Sequence, residues 1–257
     1  MKKSKIAVLV AMVVVLAFSL AACGGSDKSS SDKTVYKVGT EPTFPPFDTT
    51  DEDQNIVGLD MDLIKAIGED QGFDVEFENL SFDGLIPALK AGNIDIVAAG
   101  MNKDDEDRQK EVDFSDSYYE SKLFVAVTED NTTIKSVEDL TPDMKVAAQT
   151  GTTGASKVQE LKDAGKIKEA VILDGLDTCM MKLINGDVSA VINDKPVTEA
   201  YMKKQPDKIK MVGEALNAEN YGFAVQKGNA ELVEKINNGL KHIKENGTYD
   251  KLVDEWF

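Results

Sequence analysis

Short apolar runs alternate along this chain with stretches whose apolar residues recur every three to four positions, and that alternation leaves few architectures open. Residues 35–40, 75–78, 94–99, 146–149, 171–173 and 188–193 read as strands; 59–71, 82–91, 156–164, 176–185 and 232–246 read as helices. Strands that take turns with helices build parallel sheets flanked by helices. An internal correspondence sharpens this. Leu89-Lys90-Ala91-Gly92-Asn93-Ile94-Asp95-Ile96-Val97-Ala98-Ala99-Gly100 aligns without gaps on Leu183-Ile184-Asn185-Gly186-Asp187-Val188-Ser189-Ala190-Val191-Ile192-Asn193-Asp194. Each copy reads as a helix end, a glycine C-cap, a short turn and a buried strand. Few positions are identical, so chance similarity is the competing reading. A true repeat makes Gly100 and Asp194 the ends of equivalent strands in two lobes. Open α/β sheets bind ligands outside the carboxyl ends of their strands, and two such edges facing each other make a cleft.

Two lobes need crossings. Residues 121–128 and 221–226 are extended apolar runs flanked by polar segments and read as two hinge strands. The expected fold is α/β, with two α/β lobes joined by those strands. Lobe one is discontinuous, 34–123 plus 221–257, and lobe two is 124–220.

The N-terminus has the three parts of a secretory signal in order: basic Lys2, Lys3 and Lys5, an apolar run from Ile6 to Leu20, and small residues before a cysteine. The run sits at the lower limit for a membrane-spanning helix, about 17 residues, and it ends on Leu20-Ala21-Ala22-Cys23. That ending resembles the lipobox of bacterial lipoproteins, which implies cleavage after residue 22 and acylation of Cys23. Residues 24–33 are Gly, Ser, Asp and Lys, with nothing to bury. They read as a solvated tether reaching at most ~35 Å. Cleavage would take three lysines and no acid, moving the net charge from −17 to −20. Such a surface repels phosphate backbones and anionic headgroups, which argues against nucleic acid as a partner and leaves the lipid anchor as the link to the membrane.

With Cys23 acylated, Cys179 has no cysteine to pair with. It shares a helical face with Leu176 and Leu183 and reads as a buried structural thiol. The one histidine, His242, lies in a polar stretch and reads as solvent-facing. One histidine and one free cysteine cannot build a typical zinc site or a Ser-His-Asp triad. No metal or cofactor is expected.

The chain has 28 lysines and a single arginine, Arg108. A planar guanidinium grips a carboxylate through two parallel hydrogen bonds, which an ammonium cannot copy. A surface arginine beside the acidic run Asp104–Asp107 is the alternative; the position just after the strand end at Gly100 favours a ligand. Gln149-Thr150-Gly151-Thr152-Thr153-Gly154 follows a strand and opens a helix, where backbone N–H groups attract anions; a plain capping turn fits as well. Asp194 supplies the opposite charge for an ammonium, although aspartate after a strand is commonly an N-cap and Pro196 suits a helix start. Phe44, Phe47 and Phe82 sit in loop-like contexts where aromatic walls can sandwich a side chain, with core packing the competing reading, strongest for Phe47. Asp51, Asp53 and Asn55 mimic the start of a calcium loop, but Ile56 replaces its glycine and Asp62 its glutamate. A β-turn between short strands is expected there.

Several further segments carry a resemblance. Gly58-Leu59-Asp60-Met61-Asp62-Leu63, Phe82-Asp83-Gly84-Leu85-Ile86-Pro87-Ala88-Leu89, Val112-Asp113-Phe114-Ser115-Asp116-Ser117-Tyr118-Tyr119, Gln149-Thr150-Gly151-Thr152-Thr153, Tyr221-Gly222-Phe223-Ala224-Val225 and Asn246-Gly247-Thr248-Tyr249-Asp250 occur in one order. From about Tyr36 to Phe257 the chain resembles the polar amino-acid-binding proteins of ABC importers, of the type II periplasmic binding fold. Gln71 departs from the apolar end of the first signature. The resemblance implies that Arg108 grips an α-carboxylate with the backbone of Thr152 and Thr153. It implies that Asp194 takes the α-ammonium beside the Gly100 carbonyl. Glu41, Gln149 and Asn193 stand where side-chain selectivity is set, and Phe44 and Phe82 where aromatics flank the ligand. Two departures concern Met101–Lys103: the Gly100-to-Arg108 stretch is one residue longer than usual, and Asn102 replaces the common Ser or Thr hydroxyl.

The implied function is a monomeric, extracytoplasmic, lipid-anchored receptor that hands an amino acid to ABC permease subunits. An enzyme of the dehydratase type on the same fold and a ligand sensor are the alternatives; no catalytic cluster supports the first, and no signalling segment is seen for the second. Polar Glu41, Gln149 and Asn193 disfavour aliphatic ligands, and an ionised Glu41 disfavours acidic ones. Two amides against one acid place glutamine first, with arginine and lysine next.

Overall fold

The computed structural model describes residues 33–257. The expected signal peptide, Cys23 and the tether up to residue 32 lie outside the described residues.

The first sheet starts with β1 (Thr34–Thr40), which runs parallel to β4 (Phe73–Asn79) and β5 (Ile96–Val97). It is completed by β13 (Ala224–Gln226), antiparallel to β5 on one side and to β6 (Val112–Phe114) on the other, in the order β4-β1-β5-β13-β6. The second sheet has the order β11-β7-β10-β8-β9. Here β8 (Lys145–Gln149), β9 (Glu169–Leu173) and β10 (Ala190–Asp194) run parallel, β7 (Tyr119–Thr128) runs against them, and β11 (Ile209–Val212), antiparallel to β7, points the same way as β10. A two-residue pair, β2 (Thr49–Thr50) with β3 (Ile56–Val57), closes on Asp51, whose carboxylate accepts from the backbone of Asp53 and Asn55. The calcium-like spacing is this turn.

Helices cover both sheets. On the first lie α1 (Leu59–Gln71), α2 (Phe82–Ala91), α3 (Glu106–Glu111), α7 (Ala230–Glu245) and α8 (Thr248–Trp256). On the second lie α4 (Thr153–Asp163), α5 (Leu176–Ile184) and α6 (Lys195–Lys204). The inner face of α1 buries Leu59, Met61, Leu63, Ile64 and Ile67, and α5 buries Leu176, Cys179, Met180 and Leu183. Each such side chain contributes about 1.5–3 kcal/mol by leaving water. Cys179 is a free, buried thiol, pushed up to about 12 chiefly by burial. His242 sits exposed, its Nδ1 2.8 Å from Asp70 Oδ2.

The internal correspondence holds at the level of hydrogen bonds. At the end of α2, Gly92 N–H donates to Leu89 O at 3.1 Å and Asn93 N–H to Ala88 O at 3.0 Å. At the end of α5, Gly186 N–H donates to Leu183 O at 3.0 Å and Asp187 N–H to Lys182 O at 2.9 Å. Both glycines are left-handed, φ 73° and 77°, as the Schellman-type helix ending requires. Each turn feeds a buried strand, β5 or β10.

The crossings differ from expectation in one respect. β7 is a single ten-residue strand whose first residues pair with β12 (Ala218–Tyr221) and whose remainder belongs to the second sheet. The predicted strand 221–226 is broken. β12 ends at Tyr221 and β13 begins at Ala224, because Gly222 N–H turns to Met101 O and Phe223 exchanges hydrogen bonds with Ser115, its N–H to the hydroxyl and its O from the N–H. This kink moves the chain from one sheet to the other. The predicted strand 94–99 is likewise reduced to Ile96–Val97.

Candidate functional site

Loops at the carboxyl ends of β1, β5, β8 and β10 meet between the sheets. They meet at a narrow cavity of about 10 Å³ lined by Phe44, Phe82, Gly100, Asn102, Arg108, Gln149, Thr152, Thr153, Asp194, Glu219 and Tyr221. Nine of the eleven candidate ligand-binding residues from the sequence are in that lining; Glu41 and Asn193 are not.

Arg108 reaches the cavity from α3, a short polar helix held by Asp105, whose carboxylate accepts from Asp107 N–H at 3.0 Å and Arg108 N–H at 2.9 Å. The guanidinium lies 5.3 Å over the Phe82 ring. It donates to Asn102 O at 3.2 Å within its own lobe and to Gly151 O at 2.9 Å in the other. Burial lowers its pKa from the ordinary arginine value, opposed by Asp105, Glu219 and Asp194.

Asp194 closes β10 and occupies the N-cap position of α6, yet its side chain makes no capping bond. Its Oδ1 instead accepts from Tyr221 OH at 2.5 Å and Ser121 Oγ at 3.0 Å. Burial pushes it up to about 6 against the pull of those two donors and of Arg108.

Gly100 follows β5 at φ 52°, and a Cβ there would stand 2.5 Å from the Phe44 ring. Its N–H donates to Asp60 Oδ2 at 2.8 Å, which also accepts from Tyr118 OH at 2.7 Å. Asp60 is fully buried and pushed up to about 7 by that burial. The register of the following residues is now defined. Met101 is core, and Lys103 N–H donates to Asn220 O at 2.8 Å. Asn102 Oδ1 accepts from Asp104 N–H at 3.1 Å and Asn220 N–H at 3.3 Å, tying the loop to β12.

In the second lobe, Thr152 caps α4, accepting from Ala155 N–H at 3.0 Å and donating its hydroxyl to Gln149 O at 2.7 Å. Thr152 N–H also turns back to Gln149 O, at 3.3 Å, so the first turn of α4, from Thr153 on, is what presents backbone N–H groups. Gln149 Nε2 donates to Glu41 Oε2 at 2.9 Å across the lobes and to Asp174 O at 3.0 Å. Glu41 is 8 % exposed and raised above the ordinary glutamate value, mainly by burial. Asn193 is turned away from the cavity, its Nδ2 3.3 Å from Asp194 O and from Thr198 Oγ1.

Sequence reasoning missed Glu219, and it placed Tyr221 in a hinge strand and a family-like segment but not in the site. Nothing distinguishes Glu219 among 46 acidic residues in the sequence except its place two positions before Tyr221.

Residues 36–257 match the model of a family described as bacterial extracellular solute-binding proteins, family 3. A probable histidine-binding protein of Neisseria gonorrhoeae is 34% identical over 250 residues, covering 94% of this chain and 91% of that protein. Among solved structures, an ancestral arginine-binding protein bound to arginine superposes with a TM-score of 0.83 at 44% identity, covering 88% of this chain and 99% of that one. An ancestral arginine-binding protein bound to glutamine gives a TM-score of 0.81 at 45% identity, covering 88% and 98%.

Proposed function

The chain belongs to the bacterial extracellular solute-binding proteins, family 3, and on that footing we propose that it is the amino-acid receptor of an ABC importer. One observation carries the reading: a guanidinium from one lobe and a buried carboxylate from the other, Arg108 and Asp194, line one cavity. A zwitterion is the small molecule that satisfies both, its carboxylate on Arg108 and its ammonium on Asp194 with the Gly100 carbonyl. The relatives' names support the same class of ligand.

The hydrogen bonds shift the preferred side chain. Glutamine ranks first only where both amides, Gln149 and Asn193, face the ligand as donors and acceptors. Asn193 is outside the cavity, and Gln149 directs its Nε2 at a carboxylate and a carbonyl, groups that can only accept. What is left to offer a ligand are acceptors: Gln149 Oε1 in the lining and, set behind Gln149 and hydrogen-bonded to it, the Glu41 carboxylate, with Asp177 close enough to Glu41 to raise it. A cationic side chain suits that set, so arginine or lysine comes first and glutamine second. A thermal-shift panel of the twenty amino acids on the purified protein tests this. Stabilisation by leucine or glutamate, with none by arginine, lysine or glutamine, overturns the pocket assignment.

In the same reading the protein works as a monomer, is held outside the cytoplasm by acylated Cys23, and hands its ligand to permease subunits. Cys23→Ala should move it from the membrane fraction to the soluble one; retention in the membrane would refute the anchor.

A further inference from the structure

The cavity holds a second buried carboxylate that the docking just described does not use. Glu219, on β12, is 1 % exposed and lines the same wall as Arg108, Thr153 and Asp194. Asn217 Nδ2 donates to its Oε1 at 2.6 Å, and the Thr153 hydroxyl also hydrogen-bonds to it. Strand pairing sets it opposite Ser121, whose hydroxyl donates to Asp194 Oδ1. The charged groups that face it are Asp194 at the end of β10 and Arg108 on α3; α4 contributes the neutral Thr153. One buried cluster therefore contains a single guanidinium and two carboxylates.

We propose that Glu219 is the proton-bearing positioning residue of this cleft, neutral in the loaded protein, so that capture of an amino acid takes up a proton from solvent. The inference rests on the docking of the ligand's α-carboxylate at Arg108.

Counting charges carries it. A zwitterion brings one carboxylate to Arg108 and one ammonium to Asp194 and adds no net charge. Both members of that pair are then satisfied, and an ionised Glu219 would stand beside the ligand's carboxylate without a cation of its own. A buried charge in that position takes a proton rather than remain uncompensated. Burial and the neighbouring Asp194 already push Glu219 up to about 7, and Arg108 is one of the groups holding it down. A ligand carboxylate that occupies Arg108 weakens that restraint. A cationic ligand side chain does not replace it, because on the reading above Glu41 and Gln149 receive that charge. As a neutral acid, Glu219 gains a donor and keeps an acceptor for the Thr153 hydroxyl, which fixes the start of α4 against the ligand.

Calorimetric titration of the purified chain with L-arginine at pH 7.5, in buffers of different ionisation heat, measures the proton directly. With Glu219 titrating near 7, uptake of roughly half a proton or more per ligand is expected. Asp194, near 6, is already ionised at that pH and offsets little of it. Glu219→Gln should abolish the uptake and, relieved of the deprotonated state, bind about fourfold more tightly at pH 7.5. Buffer-independent heat in the wild type, or unchanged uptake in Glu219→Gln, overturns the proposal. Should circular dichroism show Glu219→Gln unfolded, the wild-type Kd decides. A rise towards ~10-fold per pH unit above pH 7.5 supports uptake, and a flat profile refutes it. No binding of L-arginine, L-lysine or L-glutamine by the wild type would instead refute the docking reading, and this inference falls with it.

Discussion

A guanidinium buried against carbonyl oxygens can be replaced by nothing else among the charged side chains, and Arg108 is where that matters in this chain. On the proposed reading, removing it leaves a ligand carboxylate uncompensated, which costs ~3–5 kcal/mol. Arg108→Ala should therefore weaken amino-acid binding by roughly two to three and a half decades. Arg108→Lys should lose much of the same, since the fork is gone; unchanged calorimetric affinity in either would refute the clamp. Asp194 sets the acid limit. Its folded pKa is raised to about 6, and the ligand's ammonium needs the carboxylate, so affinity should fall as pH drops through 6. A Kd that stays constant from pH 7 to pH 5 would remove Asp194 from the site. Arg108 was legible in the sequence because it is alone among lysines, and Asp194 because a repeat placed it at a strand end. Glu219 was not, since an acid's meaning here comes from burial, and burial two residues before a kink leaves no periodic trace. Asn193 was over-read. It sits next to Asp194 in the chain, but successive strand residues point to opposite faces.

At the level of elements, the two helix endings make a test of the internal repeat. Gly92 and Gly186 stand at φ 73° and 77°, and a Cβ on either would meet nothing within 4 Å. Alanine at each should then cost only the left-handed backbone term, about 1–2 kcal/mol, and the same in both lobes. Urea denaturation that finds one substitution silent and the other severe would break the equivalence. A second device pins the end of β5 to α1. Asp48 and Asp60 are both fully buried, burial raises each of them, Asp60 raises Asp48 further, and each has an Oδ1 without a hydrogen-bond partner among the described residues. Because Asp60's folded pKa is raised to about 7, its contribution is full below the unfolded value near 4 and is lost as pH rises through 7. Asp60→Asn keeps an acceptor for Gly100 and Tyr118 and should flatten that loss. Its melting temperature should match or exceed the wild type at pH 8, and a lower one there would contradict this account. The long amphipathic helices α1 and α2 were readable to the residue, since they carry a clear apolar stripe. α3 was not, because Glu-Asp-Arg-Gln-Lys-Glu has no apolar period and exists through its Asp105 cap.

The molecule as a whole is shut. Gln149 bonds Glu41, Leu176 N–H donates to Thr43 Oγ1 at 3.2 Å, Tyr201 OH to Thr43 O at 3.0 Å, and Arg108 to Gly151 O, all from one lobe to the other. Two lobes joined by the β7 and β12 crossings can part about them by a hinge. Small-angle scattering should show a smaller radius of gyration with arginine than without it, and superimposable curves at saturation would argue against motion. The two-lobed plan was legible from the alternation of elements; the break at Gly222–Phe223 was not, because its cause is hydrogen bonding to Met101 and Ser115, far away in sequence. The strand after that break has a consequence in time. β13 lies between β5 and β6, which touch no other partner on those edges, and it comes from residues 224–226. Every strand of the main path of the second sheet is complete by Val212. As the chain is made from its N-terminus, the wall that carries Asp194 and Thr153 can therefore close on itself first. The wall that carries Arg108, though its residues are older, waits for three that arrive near the end.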